Sequence, residues 1–225
     1  MLDLKKTTEL KYTNNHHIEF QYLDLIEYNE ALKLQLSLFE KVKSEDKNFI
    51  LGLQHPSVIS LGHRAIQNEQ IMFEPSIPVA KSSRGGLATV HSEGQLVIYP
   101  VLNIRKFKWT VRDYVQHLLK TTQKTFEEYL IDSYFDLNNV GVYTKHGKIA
   151  FCGVQIKNGI SLHGLSINLY NKLELFNQII SCGIKNQNFD SIKNYRTDVT
   201  LEEFFERWKK NFIEFSIKPL DVETQ

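Results

Sequence analysis

Hydrophobic and polar residues alternate in several short stretches of the chain, a period that is typical of half-buried β-strands. The first of these stretches, residues 17–23, places Ile18, Phe20 and Tyr22 on one face. Further apolar stretches predict strands at 48–53 and 57–62, within 77–103, and at 141–144, 148–156 and 160–169. The pattern therefore predicts a protein that is rich in strands.

Three longer stretches follow the helical period instead. The second of them begins at the N-cap candidate Thr110 and runs to about Leu130. The third, at about 201–213, begins with a capping box formed by Thr200 and Glu203. The first, at about 25–43, is expected to pack through Leu25, Asn29, Leu32, Leu36 and Phe39, and the third through Leu201, Phe204, Phe205, Trp208 and Phe212.

Asn158 and Gly159 lie between two predicted strands and give the strongest turn signal in the chain. A type I′ turn needs positive φ at both central positions, which Asn-Gly accepts, so a β-hairpin is predicted here. Strands and helices are thus mixed, which favours an α/β (α+β) fold with a mixed β-sheet flanked by helices over a doubly wound parallel sheet. No repeat or linker divides the chain, and residues 1–225 are expected to form a single domain.

Composition changes this picture only by exclusion. The 225 residues carry a formal net charge of +1, so bulk charge predicts neither nucleic-acid nor membrane binding. No apolar run approaches the ~20 residues of a membrane span, and the N-terminal stretch lacks the apolar core of a secretory signal. The two cysteines stand thirty positions apart (182 minus 152), which fits neither a disulfide framework nor a zinc site. A reducing, cytoplasmic location is therefore expected.

Three glycine-bearing segments, at 83–100, 147–153 and 163–168, lie within or beside predicted strands. Glycine at such places marks a turn, a bulge or the close approach of a ligand. A cleft whose floor is backbone and a set of ordinary turns both fit this pattern, and the residues alone leave the choice open.

The eight histidines show no metal-ligand spacing, so no metal is expected, and His91 and His163 fit hydrogen-bonded walls of a site. The pair Gly147-Lys148 lacks the preceding glycine and the following hydroxyl residue of a phosphate loop, so it implies no nucleotide. The Arg-Gly-Gly at 84–86 occurs once between strands, unlike the repetitive boxes that bind RNA.

The two cysteines differ in their surroundings. A free cysteine is most often a buried, inert hydrophobe, and Cys152 fits that description because it lies within an apolar strand. Cys182 lies between Ser181 and Gly183, where an apolar run gives way to a polar loop, so its thiol can reach a substrate.

A thiol nucleophile needs an activating group. At a free pKa of ~8.5 only about 3% of a cysteine is thiolate near neutrality, so a histidine base or a nearby ammonium must favour the anion. The residues alone leave His91, His163 and Lys148 open as that group.

Five ordered motifs run through the middle of the chain: "HPSVISLG" at 55–62, "RGGLATVHSEGQLVIYP" at 84–100, "GVYT" and "GKIAFCGVQI" within 141–156, "HGLSIN" at 163–168 and "SCG" at 181–183. In order and spacing they resemble the octanoyltransferases of lipoate biosynthesis, also called lipoyl(octanoyl) transferases. The resemblance extends over about residues 50–195. It implies the biotin/lipoate protein ligase fold group, a mixed sheet flanked by helices, in agreement with the pattern.

The resemblance also implies the site residues. The family's catalytic cysteine falls on Cys182 and its catalytic lysine on Lys148. Three segments are expected to bind the acyl substrate. They comprise Arg84, Gly85, Gly86, Leu87, Ala88, Thr89, Val90 and His91, then Phe151, Cys152 and Gly153, and finally Gly164, Leu165 and Ser166.

The implied reaction needs no cofactor. The Cys182 thiolate, stabilised by the Lys148 ammonium, takes the octanoyl group from octanoyl-acyl carrier protein as a thioester. A lysine amine then accepts it on an apo lipoyl domain, either of a 2-oxoacid dehydrogenase or of the glycine cleavage H protein. The basic residues Arg105, Lys106 and Lys108 either meet these acidic partners or form a solvated loop.

The chain departs from the family pattern at two turns. Ser92 and Glu93 replace glycine and proline in the motif His-Gly-Pro-Gly-Gln, and Ser181 replaces the proline before the cysteine. Three other functions therefore stay open: an ATP-dependent lipoate or biotin ligase, a non-catalytic module that binds acyl groups or carrier proteins, and a cysteine hydrolase.

Overall fold

Eleven strands and four helices make up the part of the chain that the computed structural model describes, residues 7–12, 16–45, 47–72, 74–180 and 187–217. The strands are β1 (Thr7–Tyr12), β2 (His16–Leu25), β3 (Lys47–Gln54), β4 (Val58–Leu61), β5 (Val79–Lys81), β6 (Ala88–His91), β7 (Gln95–Val101), β8 (Tyr134–Asp136), β9 (Gly141–Thr144), β10 (Gly147–Lys157) and β11 (Ile160–Asn168). The helices are α1 (Tyr28–Ser44), α2 (Gln67–Gln70), α3 (Val111–Glu128) and α4 (Leu201–Ile217), with 3₁₀ turns at Leu173–Gln178 and Ile192–Asn194.

Eight of the strands form a central sheet in the order β1-β2-β3-β7-β11-β10-β9-β8, and β5-β4-β6 form a second, smaller sheet. In the central sheet β2 and β3 are parallel and the other neighbours are antiparallel. Helix α1 packs on one face of this sheet, and α3 and α4 pack together on the other. The predicted mixed sheet flanked by helices is confirmed.

The C-terminal helix α4 packs as its sequence predicts. Leu201 is 3% exposed, and the four inward aromatic residues of the prediction are fully buried. Thr200 Oγ1 accepts a hydrogen bond from the Glu203 N–H at 3.1 Å, which satisfies a helix N–H that has no partner within the helix.

Two local signals in the sequence also determine local structure. Thr110 caps α3 in a reciprocal capping box with Asp113. Asn158 and Gly159 have φ values of 54° and 82°, as a type I′ turn requires, and they join β10 to β11.

The predicted packing face of α1 is wrong. Of the five residues expected there only Phe39 is buried, whereas Leu25 is 47% exposed and Leu36 is 56% exposed. The buried face is rotated around the helix and includes Gln35, whose Oε1 accepts a hydrogen bond from the N–H of His163 at 2.7 Å. A polar residue thus lies on the buried side, which the apolar pattern alone misassigns.

Pro100 divides the centre of the sheet. A proline has no N–H, and the ladder between β7 and β11 stops at Ile98 and Leu165, just before it. An added Cβ at Gly164 would lie 2.2 Å from the carbonyl oxygen of Ile98, so the strands come close and then part. Ser161 bridges the parted strands, because its Oγ donates to the Pro100 carbonyl at 2.7 Å and accepts from the Leu102 N–H at 3.0 Å.

We therefore expect Ser161→Ala to destabilise the protein by about 1–3 kcal/mol, because it leaves a buried N–H and a buried carbonyl without a partner. Urea unfolding followed by circular dichroism measures this loss. Ser44→Ala, at the exposed end of α1, is the matched control and should change stability by less than about 0.5 kcal/mol. Equal stability of the two variants would contradict the bridging role.

Candidate active site

A pocket lies between the central sheet and the smaller sheet, where β10 and β11 pair. Thirteen of the fourteen residues that the sequence assigns to the acyl substrate line it, and so does Lys148. The exception is Val90, which is 1% exposed and packs with Ile59 and Leu61 on the other face of the smaller sheet. Three segments that are far apart in sequence therefore meet at one place, while their roles toward a substrate stay predictions.

The Arg-Gly-Gly loop crosses directly over β10. The Gly85 N–H donates to the Val154 carbonyl at 3.0 Å, and an added Cβ at Gly153 would lie 3.2 Å from the Gly85 carbonyl oxygen. Backbones approach so closely only where side chains are absent. Arg84 fixes the loop, because its Nε donates to Ser60 Oγ at 3.1 Å and its Nη2 donates to the Ser60 carbonyl.

Lys148 lies in the pocket wall and is only 1% exposed. Its Nζ donates to the Val140 carbonyl at 2.8 Å and lies 5.2 Å from the ring centroids of both Tyr143 and Phe151, as in cation–π contacts. Gly141 leaves room for this side chain, since an added Cβ there would lie 2.4 Å from Lys148 Cε and 2.9 Å from Nζ. The position of the ammonium therefore depends on a neighbouring glycine.

After the gap at 181–186, the described chain pairs directly with the start of β10. The Lys148 N–H donates to the Asn188 carbonyl at 2.9 Å, and the Asp190 N–H donates to the Lys148 carbonyl at 3.0 Å. Gly147 permits this approach, because at its φ of 147° an added Cβ would lie 2.4 Å from the Asn188 carbonyl oxygen.

Stacked phenylalanines join the two flanks of residues 181–186. The ring centroids of Phe176, upstream, and Phe189, downstream, are 4.4 Å apart. Phe151 of β10 stacks on Phe176 at 5.2 Å, and all three rings belong to one apolar cluster. Both flanks are thus held beside the strand that carries Lys148.

Cys182, the predicted nucleophile, lies outside the described residues. Cys152 lies on β10, and burial raises the pKa of its thiol to about 12, against a smaller opposing effect of Lys148. A thiol with this pKa stays protonated at neutral pH and is a poor nucleophile. The inert role that the sequence assigns to the Cys152 thiol agrees with this environment.

Buried tyrosine and histidine rings form another wall of the pocket, which Tyr28, His91, Tyr99 and His163 line. Behind them the Nε2 of His55 lies 2.8 Å from the hydroxyl of Tyr99. Burial lowers the pKa of His55 and His163 to about 4. These two rings are therefore neutral at pH 7, and this wall is polar in composition but uncharged at these positions.

The sequence did not identify Tyr28, Tyr99 and Val140 as lining residues. Tyr28 comes from α1, and Val140 contributes through its carbonyl, so neither belongs to a glycine-bearing segment. Tyr99, which precedes Pro100 in an otherwise aliphatic strand, carried the only signal available, a polar group among apolar neighbours.

The basic loop lies at the other end of β10 from Lys148. The Ile104 N–H donates to the Gly159 carbonyl at 2.9 Å, and Arg105 packs against Gly159 in the hairpin turn. Ten strand residues at ~3.3 Å each put this loop about 30 Å from Lys148. The contacts therefore favour the solvated-loop interpretation over a partner site beside the lysine.

The chain matches the family model described as the lipoyl protein ligase A/B catalytic domain over residues 27–213. The octanoyltransferase of Anaplasma phagocytophilum is 31% identical over 194 residues, which cover 84% of this chain and 93% of that protein. The octanoyltransferase of Persephonella marina is 39% identical over 160 residues, 70% of this chain and 78% of that one. The protein therefore belongs to the lipoyl protein ligase A/B catalytic domain family, and the predicted family is confirmed.

Solved structures with the same fold are lipoate ligases. Lipoate-protein ligase A bound with ATP aligns with a TM-score of 0.69 at 16% identity, over 87% of this chain and 83% of that one. A bipartite lipoate protein ligase of Thermoplasma acidophilum aligns with a TM-score of 0.66 at 15% identity, over 85% and 81%. At these identities the likeness shows the fold alone.

Two surveys of the described residues returned nothing. None of the helices in these ranges is both long and apolar enough to cross a membrane. Nor does any group of three or more histidine, cysteine, aspartate and glutamate side chains within them have the arrangement of a metal site.

Asp190 is a fully buried carboxylate that follows the Cys182 segment. It accepts hydrogen bonds from Thr144 Oγ1, from the Tyr195 hydroxyl at 2.6 Å, from Asn194 Nδ2 at 2.7 Å and from the Ser191 N–H at 2.8 Å. Burial alone would raise its pKa, but these hydrogen bonds outweigh burial and hold the pKa below its usual value.

The lowered pKa of Asp190 makes its stabilisation pH-dependent. The contribution should be complete above the unfolded-state pKa of ~3.9 and be lost as the pH falls through the lower folded-state pKa. We expect Asp190→Asn to cost about 2–3 kcal/mol at pH 7 and progressively less as the pH falls below 4, as measured by urea unfolding.

Asp198→Asn is the control for this variant. Asp198 is exposed and paired with Arg196 at the surface, so its replacement should change stability little at either pH. If Asp190→Asn cost the same at pH 7 and at pH 3, the ionised carboxylate would not be the stabilising species.

Proposed function

We propose that this protein is an octanoyltransferase of protein lipoylation that works through a thioester on Cys182. The single observation that carries the proposal is the pairing of Lys148 with residues 188–190. Cys182 precedes Asn188 by only six positions, and the upstream flank at Phe176 is stacked on the downstream flank. The chain on both sides of the cysteine is therefore tethered beside an ammonium that lines the pocket.

In the first half-reaction the Cys182 thiolate attacks the thioester carbonyl of octanoyl-acyl carrier protein. A cation beside the sulfur favours the thiolate over the thiol, and Lys148 supplies it. The tetrahedral oxyanion collapses, the bond to the carrier sulfur breaks, and Lys148 gives its proton to the departing thiolate. The octanoyl group is then held as a thioester on Cys182.

In the second half-reaction a lysine amine of an apo lipoyl domain attacks this thioester. The new C–N bond forms, the C–S bond to Cys182 breaks, and the amine proton returns to Lys148. The product amide leaves, and the enzyme is ready for another cycle. Because the acyl group is already activated as a thioester, the sequence of steps consumes no ATP.

Burial of the octanoyl chain supplies the affinity. About seven methylene and methyl groups at ~0.8 kcal/mol each provide at most about 5–6 kcal/mol. The lining by glycine backbone and apolar residues such as Leu87 and Leu165 suits an unbranched aliphatic chain.

The partners in this scheme are octanoyl-acyl carrier protein as donor and a lipoyl domain of a 2-oxoacid dehydrogenase or the glycine cleavage H protein as acceptor. We place the reaction in the cytoplasm, where a reducing environment keeps the nucleophilic thiol free. Residues 1–225 act in it as one catalytic domain.

Intact-mass measurement without ATP tests the proposal. Octanoyl-acyl carrier protein should add one octanoyl group to the wild-type protein, and an apo lipoyl domain should then remove it. Cys182→Ala should abolish the adduct, whereas Cys152→Ala, the matched control, should keep it because that thiol has a pKa of about 12. An adduct that forms only with ATP would indicate a ligase, and a folded protein without any adduct would indicate a binding module.

The Lys148 side chain should set both the rate and the pH dependence of acylation. Lys148→Ala should slow acylation about 10²–10⁴-fold and move its optimum to higher pH, because the thiolate loses its cation. Gly141→Ala should act in the same direction by about tenfold, since its Cβ would displace the lysine side chain. Rates of iodoacetamide alkylation of Cys182 against pH measure the effect apart from turnover.

Lys145→Ala is the control, because that lysine is exposed in the neighbouring turn. Thermal melting of each variant separates a displaced ammonium from a loss of fold. An unchanged pH profile in Lys148→Ala would refute the role of the cation.

A further inference from the structure

Four buried side chains form a hydrogen-bonded row from the pocket wall to the strand that carries Lys148. His91 Nδ1 lies 2.7 Å from Gln95 Oε1, and Gln95 Nε2 donates to Asn168 Oδ1 at 3.0 Å. Asn168 Nδ2 donates to the carbonyl of Asp190 at 3.0 Å. His91 is 5% exposed and the other three are fully buried. Neither Gln95 nor Asn168 has a role in the proposed chemistry, although both belong to the motifs of the sequence.

Backbone carbonyls fix the orientation of both amides in this row. Gln95 Nε2 also donates to the Val90 carbonyl at 3.3 Å, and a carbonyl can only accept. The same holds for Asn168 Nδ2 on the Asp190 carbonyl. Each amide must therefore present its nitrogen to the backbone, which leaves the oxygen of Gln95 facing His91. His91 must then carry its proton on Nδ1 and a lone pair on Nε2.

The groups around His91 oppose a positive charge on its ring. Tyr28 stacks on it at 5.7 Å and His55 meets it edge-on at 5.5 Å, while Arg84 and His163 act on it from the loop before β6 and from β11. Burial, with His55, Arg84 and His163, lowers the pKa of His91 well below its usual value, against the opposing hydrogen bond from Gln95. No carboxylate is among these neighbours.

We propose that Gln95 is a positioning residue that holds His91 neutral, in its Nδ1–H tautomer, so that the wall of the acyl pocket carries no imidazolium. The inference rests on the proposed function for the identity of the ligand, an uncharged aliphatic acyl chain. Glutamine is suited to this task because it accepts the Nδ1 proton without the negative charge that would stabilise an imidazolium.

A charge at His91 would act on binding more than on bond-making. An imidazolium in the wall retains water that the acyl chain must displace, which weakens burial of the chain. His91 hydrogen-bonds Gln95 on β7, and Lys148 lies on β10, two strand spacings or about 10 Å across the sheet. The binding constant for the acyl substrate should therefore change more than the rate of the chemical step.

The tautomer is tested directly on the wild-type protein by ¹⁵N NMR of the histidine side chains. His91 should remain neutral with its proton on Nδ1 from pH 8 to pH 5. A titration midpoint near 6.5, or a proton on Nε2, would overturn the inference. This measurement needs no turnover, so it decides the point even for a protein that transfers no octanoyl group, a result that would sink the proposed function instead.

The consequence is tested with Gln95→Glu, assayed with octanoyl-acyl carrier protein and an apo lipoyl domain. The carboxylate should make His91 titrate at a higher pH. Below that pH, KM for the octanoyl donor should rise at least about tenfold, with a smaller change in kcat. Gln123→Glu, at the far side of α3, is the matched control and should leave both constants unchanged. A protonated His91 with an unchanged KM would refute the proposal.

Discussion

Two backbone hydrogen bonds, from Lys148 to Asn188 and from Asp190 to Lys148, hold the candidate site together. They attach the segment that follows Cys182 to the first residues of β10, so that one strand carries the ammonium and anchors the chain of the proposed nucleophile. Gly147 makes this contact possible by leaving out a side chain. The buried Asp190 carboxylate then secures it through four hydrogen bonds.

The pocket exists because the central sheet is irregular there. A regular sheet offers a flat, paired surface, but Pro100 interrupts the ladder and the strands part at Gly164. The Arg-Gly-Gly loop can then cross over Gly153 at backbone distance. The same irregularity requires compensation, which Ser161 and Gln35 provide by satisfying the polar backbone groups that the parted strands leave behind.

Prediction from the sequence succeeded where the physical cause is local. The Asn-Gly turn, the Thr110 cap and the buried face of α4 depend on residues within a few positions of one another. It failed for the face of α1, because Gln35 is buried by a contact with His163, 128 positions away in sequence. The short edge strands β1 and β8 were missed too, since their pairing depends on neighbours rather than on their own pattern.

The sequence by itself determined the fold class, the family and thirteen residues that meet in the pocket, because ordered motifs and glycines report on backbone geometry. Only the tertiary structure decided what surrounds them. The seat of Lys148 against Val140 and Gly141, and the amide row that fixes the proton on His91, join residues from separate strands. Such contacts arise from the packing of distant segments, which no pattern along a single chain encodes.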